Sequence, residues 1–492
     1  MKYIKYHHIL FILVVVGFLL RIYNINSDLL FHTDQGLHST AIWNIWHEKN
    51  ISLLGHPSDV DGLNHSPVYY WLMIPSYFIS GGNPAVASTF QILLEAISIP
   101  FLYLAIKRIF DKNTALTTII IYTFSYGLIS YSRWLVNVTP ILAFSNLLIY
   151  FISLQPNRNK INNSHLFITS LLVGFITQFN AAIGIFLIPF LFWFYLKGIS
   201  IKRVFLIITA ILLPALPLII FQFRHDFVTL KAILTFISST NQGLGFPFKM
   251  TINNLQILLK QTNSLIIYPF IWISSILFVF SLAKLKEIKH YKIVIAYLFI
   301  PFIFLSFFQR GAISFFFTSM YSIILAILSF GLTKLRKRLF IISLVAILVI
   351  NIYHLERIYR PTNADIPIGN ANLITIQDRK NIIDWAYQKA EGKKFSIWFY
   401  TIPYFQEDVW NYILNWYALP KYGYLPEKTG GFTPNDLNNS VLFFNIYEPD
   451  LNQKNRQNSW LTDVRNNFGE INATFRSNDL IIHLHNIEGN NL

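Results

Sequence analysis

The sequence has no cysteine, only four methionines and 13% charged residues, and its 24 acids are outnumbered by 39 lysines and arginines. Without cysteine there is no disulfide framework and no thiolate metal site, and the redox compartment stays unreported. A soluble domain carries about 25% charged residues. Half that figure, set beside 54% hydrophobic and 17% aromatic residues, excludes an ordinary soluble protein and points to a polytopic membrane protein. The formal net charge of +15 does not mark a nucleic-acid partner, because the basic residues lie in short pieces between apolar runs. Nucleic-acid binding needs them gathered on one face.

What the chain does have is long apolar runs. Spans of about 20 residues, or fewer when packed within protein, are expected near 8–22, 84–106, 114–131, 137–154, 166–178, 181–196, 204–221, 264–283, 293–308, 315–331 and 339–353. The first, in MKYIKYHHILFILVVVGFLLRIY, has a basic start and no small-residue cleavage site, so it reads as a retained signal-anchor. The uncharged stretch 166–196 fits one tilted helix or two short ones meeting near Asn180. Basic flanks on both sides, Arg158 and Lys160 before it and Lys197, Lys202 and Arg203 after it, favour two.

With about 11 transmembrane helices, Lys2, Lys5, Lys107, Arg108, Lys112, Lys284, Lys286, Lys289, Lys292, Lys334, Arg336, Lys337 and Arg338 fall on one side with those five. The opposite loops before the last span hold Lys49, Arg133, Arg224, Lys231, Lys249, Lys260 and Arg310, although they are longer. The positive-inside rule then puts the N-terminus in the cytoplasm and the C-terminus outside the cell membrane. The predicted organisation is a transmembrane domain over 1–353, with large outer loops at 23–83 and 222–263, and an extracytoplasmic domain over 354–492. In that last region IIDWAYQKA and VWNYILNWYAL have helical periodicity, while FSIWFYT, SVLFFNIY, INATF and LIIHLHN look like strands, giving an α/β fold.

The polar residues that ask for a chemical reading lie in the outer loops. FHTDQGLHSTAIW, from Phe31, places Asp34 just beyond the first span, ahead of a helix whose apolar residues Leu37, Ala41, Ile42, Ile45 and Trp46 share one face. Such a helix would lie on the membrane, with Asp34 at its N-cap. An N-cap is the plain role for this aspartate. A carboxylate at the outer rim of the bilayer is also placed to take a proton from a hydroxyl. His32, His38, His47, His56 and His65 crowd the same loop, yet their spacing matches no standard zinc pattern. The Asp59 and Asp61 pair ahead of Gly62 reads as a turn. Glu95 stands alone in the second span, where a buried acid is costly and tends to be functional.

Arg21, FHTDQG, a surface helix and then HSPVYYWL, from His65 to Leu72, resemble the first outer loop of the GT-C membrane glycosyltransferases. Within them the likeness is to the dolichyl-phosphate-mannose protein mannosyltransferases and the bacterial lipid A aminoarabinose transferases. It extends more loosely through YSRWLVNVTP, GFITQFNAAIGIFLIP and IIFQFRHDF, covering most of the first 350 residues. Two positions depart from the family pattern: Gln35 stands for a usual Glu, and Asn180 for a frequent basic residue.

The resemblance implies an α-helical GT-C-like fold and transfer of one sugar from a polyprenyl-phosphate sugar donor to an acceptor hydroxyl of protein, lipid or glycan, with inversion. It implies that Asp34 is the catalytic base and that His65, Tyr69 and Tyr70 bind substrate. Inverting displacement needs a base and a stabilised leaving group rather than a nucleophilic carboxylate. Guanidinium forks match phosphate oxygens, so Arg133, Arg224 with His225, and Arg310 are the candidate contacts to the lipid phosphate. The expected partners are that donor, membrane lipid and an acceptor the residues do not name. No cofactor is required by these residues, although the acids leave room for a divalent cation. The competing readings are a polytopic transporter, which would show repeats and midplane charge, and a lipid-linked polysaccharide polymerase or ligase.

Overall fold

The computed structural model describes residues 2–58, 62–155, 161–239, 248–267, 270–307, 313–359, 374–404, 406–428, 440 and 442–486. The chain forms two compact units. One comprises 1–23, 50–75 and 88–358, and the other 24–49, 76–87 and 359–492. The second unit thus takes in half of the first long loop together with the C-terminal region.

The first unit is helical. Each of the eleven predicted runs coincides with a helix or a broken helix over its described residues. Five helices are long and apolar enough to cross a membrane: Pro84–Ile109, Ala181–Gly198, Ile201–Arg224, Ser314–Thr333 and Lys337–Glu356. Six qualify if Lys249–Ile266 and Ile271–Glu287 form one bent span, so length alone accounts for about half of the expected number. Of the rest, Ile141–Leu154 and Tyr291–Ser306 are continuous but short, and others are interrupted by turns. The run 114–131 divides at Ser125, which ends Lys112–Phe124 and whose hydroxyl caps Tyr126–Arg133. The run 166–196 breaks at Asn180, where Asn163–Phe179 stops and Ala181–Gly184 begins. Gly184 lies against the backbone of Thr177, an approach that any Cβ would block. The Ser314–Thr333 span is buried nearly all round, as expected for an uncharged helix with apolar residues on every face.

Two ionisable residues of this unit meet inside it. Arg21 Nε lies 3.3 Å from Glu95 Oε1, and Tyr122 donates its hydroxyl to the same oxygen at 2.9 Å. Arg21 also donates to Ser132 Oγ and to the carbonyls of Gly17 and Tyr122. Ser88, Gln91, Glu95 and Ser98 form a polar stripe along Pro84–Ile109, spaced to share one helix face. Ser88 donates to the Arg133 carbonyl, and Gln91 to those of Ser132 and Trp134.

The second unit contains a five-stranded sheet: β1 Phe395–Tyr400, β2 Glu427–Lys428, β3 Leu442–Tyr447, β4 Ile471–Ser477 and β5 Leu480–Asn486. Its order is β2-β1-β3-β5-β4, with β1 parallel to β2 and β3, and β5 antiparallel to both neighbours. All six residues of β1 are buried, the mark of a strand covered on both faces. On one face Trp398, Tyr400 and Phe443 pack with Trp460, Val464 and Phe468 of helix Lys454–Phe468. On the other, Phe395 and Phe444 meet Tyr387 and Trp385 of helix Ile376–Ala390. The four strands and two helical segments expected after residue 354 are all present, the second helix passing through a π-turn at Leu414–Ala418. Helix Lys454–Phe468 was not anticipated, because its sequence is mostly polar, with Trp460, Val464 and Phe468 the only apolar residues among the four it buries, the fourth being Gln457.

Candidate functional site

Asp34 belongs to the helix Thr33–Trp46, but not as its N-cap. That position is held by His32, and Asp34 is the second helical residue, exposed to solvent. The reason is local. His32 and Gln35 form a capping box, in which the Gln35 carboxamide oxygen accepts from the His32 backbone N–H at 2.8 Å. This gives Gln35, only 2% exposed, a structural task in place of the Glu expected there. An acid in the first turn complements the helix dipole by about 0.3–1 kcal/mol without being tied into a cap.

The rest of the helix buries Gln35, Gly36, His38, Ser39, Ile42 and Ile45. That stripe is more polar than the apolar face read from the sequence, because it packs on protein within its own unit. Gly36 abuts the backbone of Val409, so a side chain there would collide with helix Asp408–Ile413. Thr33 donates to the Ile402 carbonyl at 2.8 Å, Thr40 to the Asp408 carbonyl at 3.1 Å, and Ser39 shares a 2.7 Å hydrogen bond with Tyr77. Just upstream, Leu30 bridges Thr375, with Phe31 N–H donating to the Ile374 carbonyl and Ile376 N–H to that of Leu29.

Arg379 lies beneath this turn and is only 2% exposed. Its Nε donates to the Phe31 carbonyl at 2.7 Å, and its guanidinium sits 4.7 Å from the centre of the Trp410 ring. Burial pulls its pKa down to about 10, opposed by Glu448 and Asp378, so it remains a cation at neutral pH. Burial and then the Arg379 charge hold His32 at a pKa of about 3, and the neutral ring keeps the lone pair that an N-cap requires. Arg379 Nη1 and His32 Nε2 are buried without hydrogen-bond partners among the described residues. Asp378 beside them is saturated, accepting from Thr375, Ser477 and Asn478. Sequence reasoning missed Arg379. Its signal was a cation in the first turn of Ile376–Ala390, against the helix dipole, which calls for some compensating tertiary contact.

The other expected site residues belong to the first unit. His65 stacks on His56 with ring centroids 4.2 Å apart, and paired backbone hydrogen bonds hold the two strands of that loop together. Burial, and then the neighbouring His65, push His56 down to about 3. Tyr69 and Tyr70 are both buried, and the Tyr69 hydroxyl points to Gln91 Oε1 at 3.5 Å. Arg133 is 5% exposed, and its Nη1 donates to the carbonyls of Arg21 and Tyr23 at 3.1 and 2.8 Å, closing the C-terminal end of helix Lys2–Ile22. Arg224 ends helix Leu216–Arg224 and is exposed. His225 follows as its C-cap, its Nδ1 3.0 Å from the Phe221 carbonyl and its ring stacked on Phe221. Arg310, Asp59 and Asp61 lie outside the described residues. Among the described residues no three His, Asp or Glu converge as a metal site.

The profile of the family described as dolichyl-phosphate-mannose-protein mannosyltransferase matches residues 64–221. Comparison with curated protein sequences returns no match. Among solved structures, ArnT from Cupriavidus metallidurans bound to undecaprenyl phosphate aligns with a TM-score of 0.61 at 10% identity, covering 96% of this chain and 97% of that one. The apo form of the same protein aligns with a TM-score of 0.61 at 9% identity, over 99% of both chains. The chain has an ArnT-like fold. The likeness read from the sequence is met by the mannosyltransferase profile over residues 64–221, which takes in His65 to Leu72 but not the Asp34 loop, and the likeness to ArnT over nearly the whole length is one of fold.

Proposed function

We propose that this chain is an integral membrane glycosyltransferase that moves a sugar from a polyprenyl-phosphate carrier to an acceptor hydroxyl on the outer face of the cell membrane, inverting the anomeric carbon. The observation that carries the reading is the full-length fold likeness to ArnT, a protein crystallised with undecaprenyl phosphate. The mannosyltransferase-type segment at 64–221 supports it independently.

In this reaction Asp34 accepts the proton of the acceptor hydroxyl as its oxygen attacks the anomeric carbon. The bond to the carrier phosphate breaks on the opposite face, and the carrier leaves as a polyprenyl phosphate. Outer-face arginines would stabilise the charge that develops on the departing phosphate. Arg224, exposed and followed in the chain by His225, and Arg310 are the favoured contacts; Arg133, also a candidate from sequence, is instead buried against the Arg21 and Tyr23 carbonyls. His65, Tyr69 and Tyr70 are proposed to line the donor side. The C-terminal sheet domain is proposed to be extracytoplasmic.

The test is transfer from a short-chain polyprenyl-phosphate sugar by the full-length protein in liposomes, comparing wild type with Asp34→Asn. The exposed Asn variant should fold normally and lose turnover by at least a hundredfold, within the range of a general base. Wild-type turnover by the Asn variant would return Asp34 to a purely helical role.

A further inference from the structure

We infer that Arg379 is a positioning residue for the Asp34 carboxylate: from beneath the chain it anchors the turn that presents Asp34, so the C-terminal domain sets the geometry of the catalytic base. The inference rests on Asp34 being that base.

Four observations within one compact unit lead here. Arg379 Nε reaches the Phe31 carbonyl at 2.7 Å, three residues before Asp34. The Leu30 to Thr375 bridge brings the chain entering the Asp34 helix against the N-terminus of Arg379's own helix. Thr33 and Gly36, on either side of Asp34, are fastened to Ile402 and Val409 of the same C-terminal region. The Arg379 charge lies close enough to act on the His32 ring, and a neutral His32 is what caps the helix.

A buried guanidinium is a costly way to hold one carbonyl, since a charge taken out of water loses its solvation. What it supplies that a neutral side chain cannot is a rigid planar donor, stacked on Trp410, beside a histidine that has to stay unprotonated. Asp34 itself is exposed, and the turn that carries it sets where its side chain begins. A displacement of about 1 Å at such a group lowers rate by up to about a hundredfold.

The experiment uses full-length protein in lipid nanodiscs, with Arg379→Met and Arg379→Lys. Steady-state transfer is measured alongside hydrogen exchange at the amides of Phe31, His32 and Gly36, whose backbone bonds define the turn. The inference expects kcat to fall at least tenfold in the Met variant with the donor KM within twofold of wild type. It also expects at least tenfold faster exchange at those amides, unchanged exchange in β1 and β3, and partial recovery of both readouts with Lys. Lys is the informative variant if Met does not fold. Wild-type kcat in a variant whose turn has opened, or wild-type exchange in the turn, overturns it. The exchange readout is independent of chemistry, so an active Asp34→Asn enzyme would sink the proposed base while leaving the anchoring of the turn separately measured.

Discussion

Arg21 and Glu95 meet at 3.3 Å between two helices, each at most 3% exposed; Tyr122 donates to the same Glu95 oxygen and Arg21 donates to Ser132, while Glu95 Oε2 is buried without a hydrogen-bond partner among the described residues. The lone acid of the second apolar run is therefore the counter-ion of the arginine that ends the first. Removing one member strands the other in an apolar interior.

The first prediction concerns that pair. Arg21→Met and Glu95→Leu should each destabilise the folded protein by about 3–5 kcal/mol, whereas the double variant should recover much of the loss, because an apolar pair leaves no uncompensated charge. Thermal unfolding in detergent measures all three. Additive losses in the double variant would mean that the two side chains are not energetically coupled.

The second separates two arginines that look alike in sequence. Arg133→Ala should lower stability by about 1–3 kcal/mol, since the Arg21 and Tyr23 carbonyls lose their donor. Arg224→Ala, at an exposed helix end, should stay within about 0.5 kcal/mol of wild type and instead raise the KM for the polyprenyl-phosphate donor. Arg224→Lys should recover donor use only in part, as a point charge replaces a fork. Melting curves and donor titrations on the same preparations check both halves. An unchanged donor KM in both Arg224 variants would remove it from the phosphate site.

A third follows from His32. Its folded pKa, about 3, lies below its ordinary 6.5, so the unfolded turn binds a proton that the folded turn does not. Above pH 6.5 this has no effect. As pH falls from 6.5 towards 3 the turn should weaken by on the order of 1 kcal/mol per pH unit, with Arg379 the cation acting on the ring. Amide exchange at Gly36 should accelerate over that window. In His32→Asn, which caps without titrating, the acceleration should be much reduced; an unaltered pH profile in the Asn variant would place the titration elsewhere.

The fourth is topological. Reporter fusions at Pro57 and Gly430 should report the same, outer side, as the distribution of lysine and arginine requires. Opposite sidedness would contradict both the loop assignment and an outer-face reaction.

The apolar runs of the helical unit, the break at Asn180 and the four longer strands near the C-terminus follow from sequence, because each is a local pattern: a hydrophobic stretch, a polar interruption, an apolar core between turn residues. The loop motifs likewise carried the GT-C resemblance. What sequence could not decide is the partner of each polar group. Whether Arg133 faces a phosphate or the last carbonyls of a helix 110 residues away depends on how the chain returns. Any acid ahead of a helix looks like a cap from sequence; His32 takes that place through its capping box with Gln35, in a turn that Arg379, nearly 350 residues later, holds by the Phe31 carbonyl. Glu95 needed Arg21, and Arg379 needed Phe31. Periodicity is written in neighbouring residues, but hydrogen bonds and ion pairs are short-ranged in space and indifferent to separation along the chain, so only the tertiary structure assigns them.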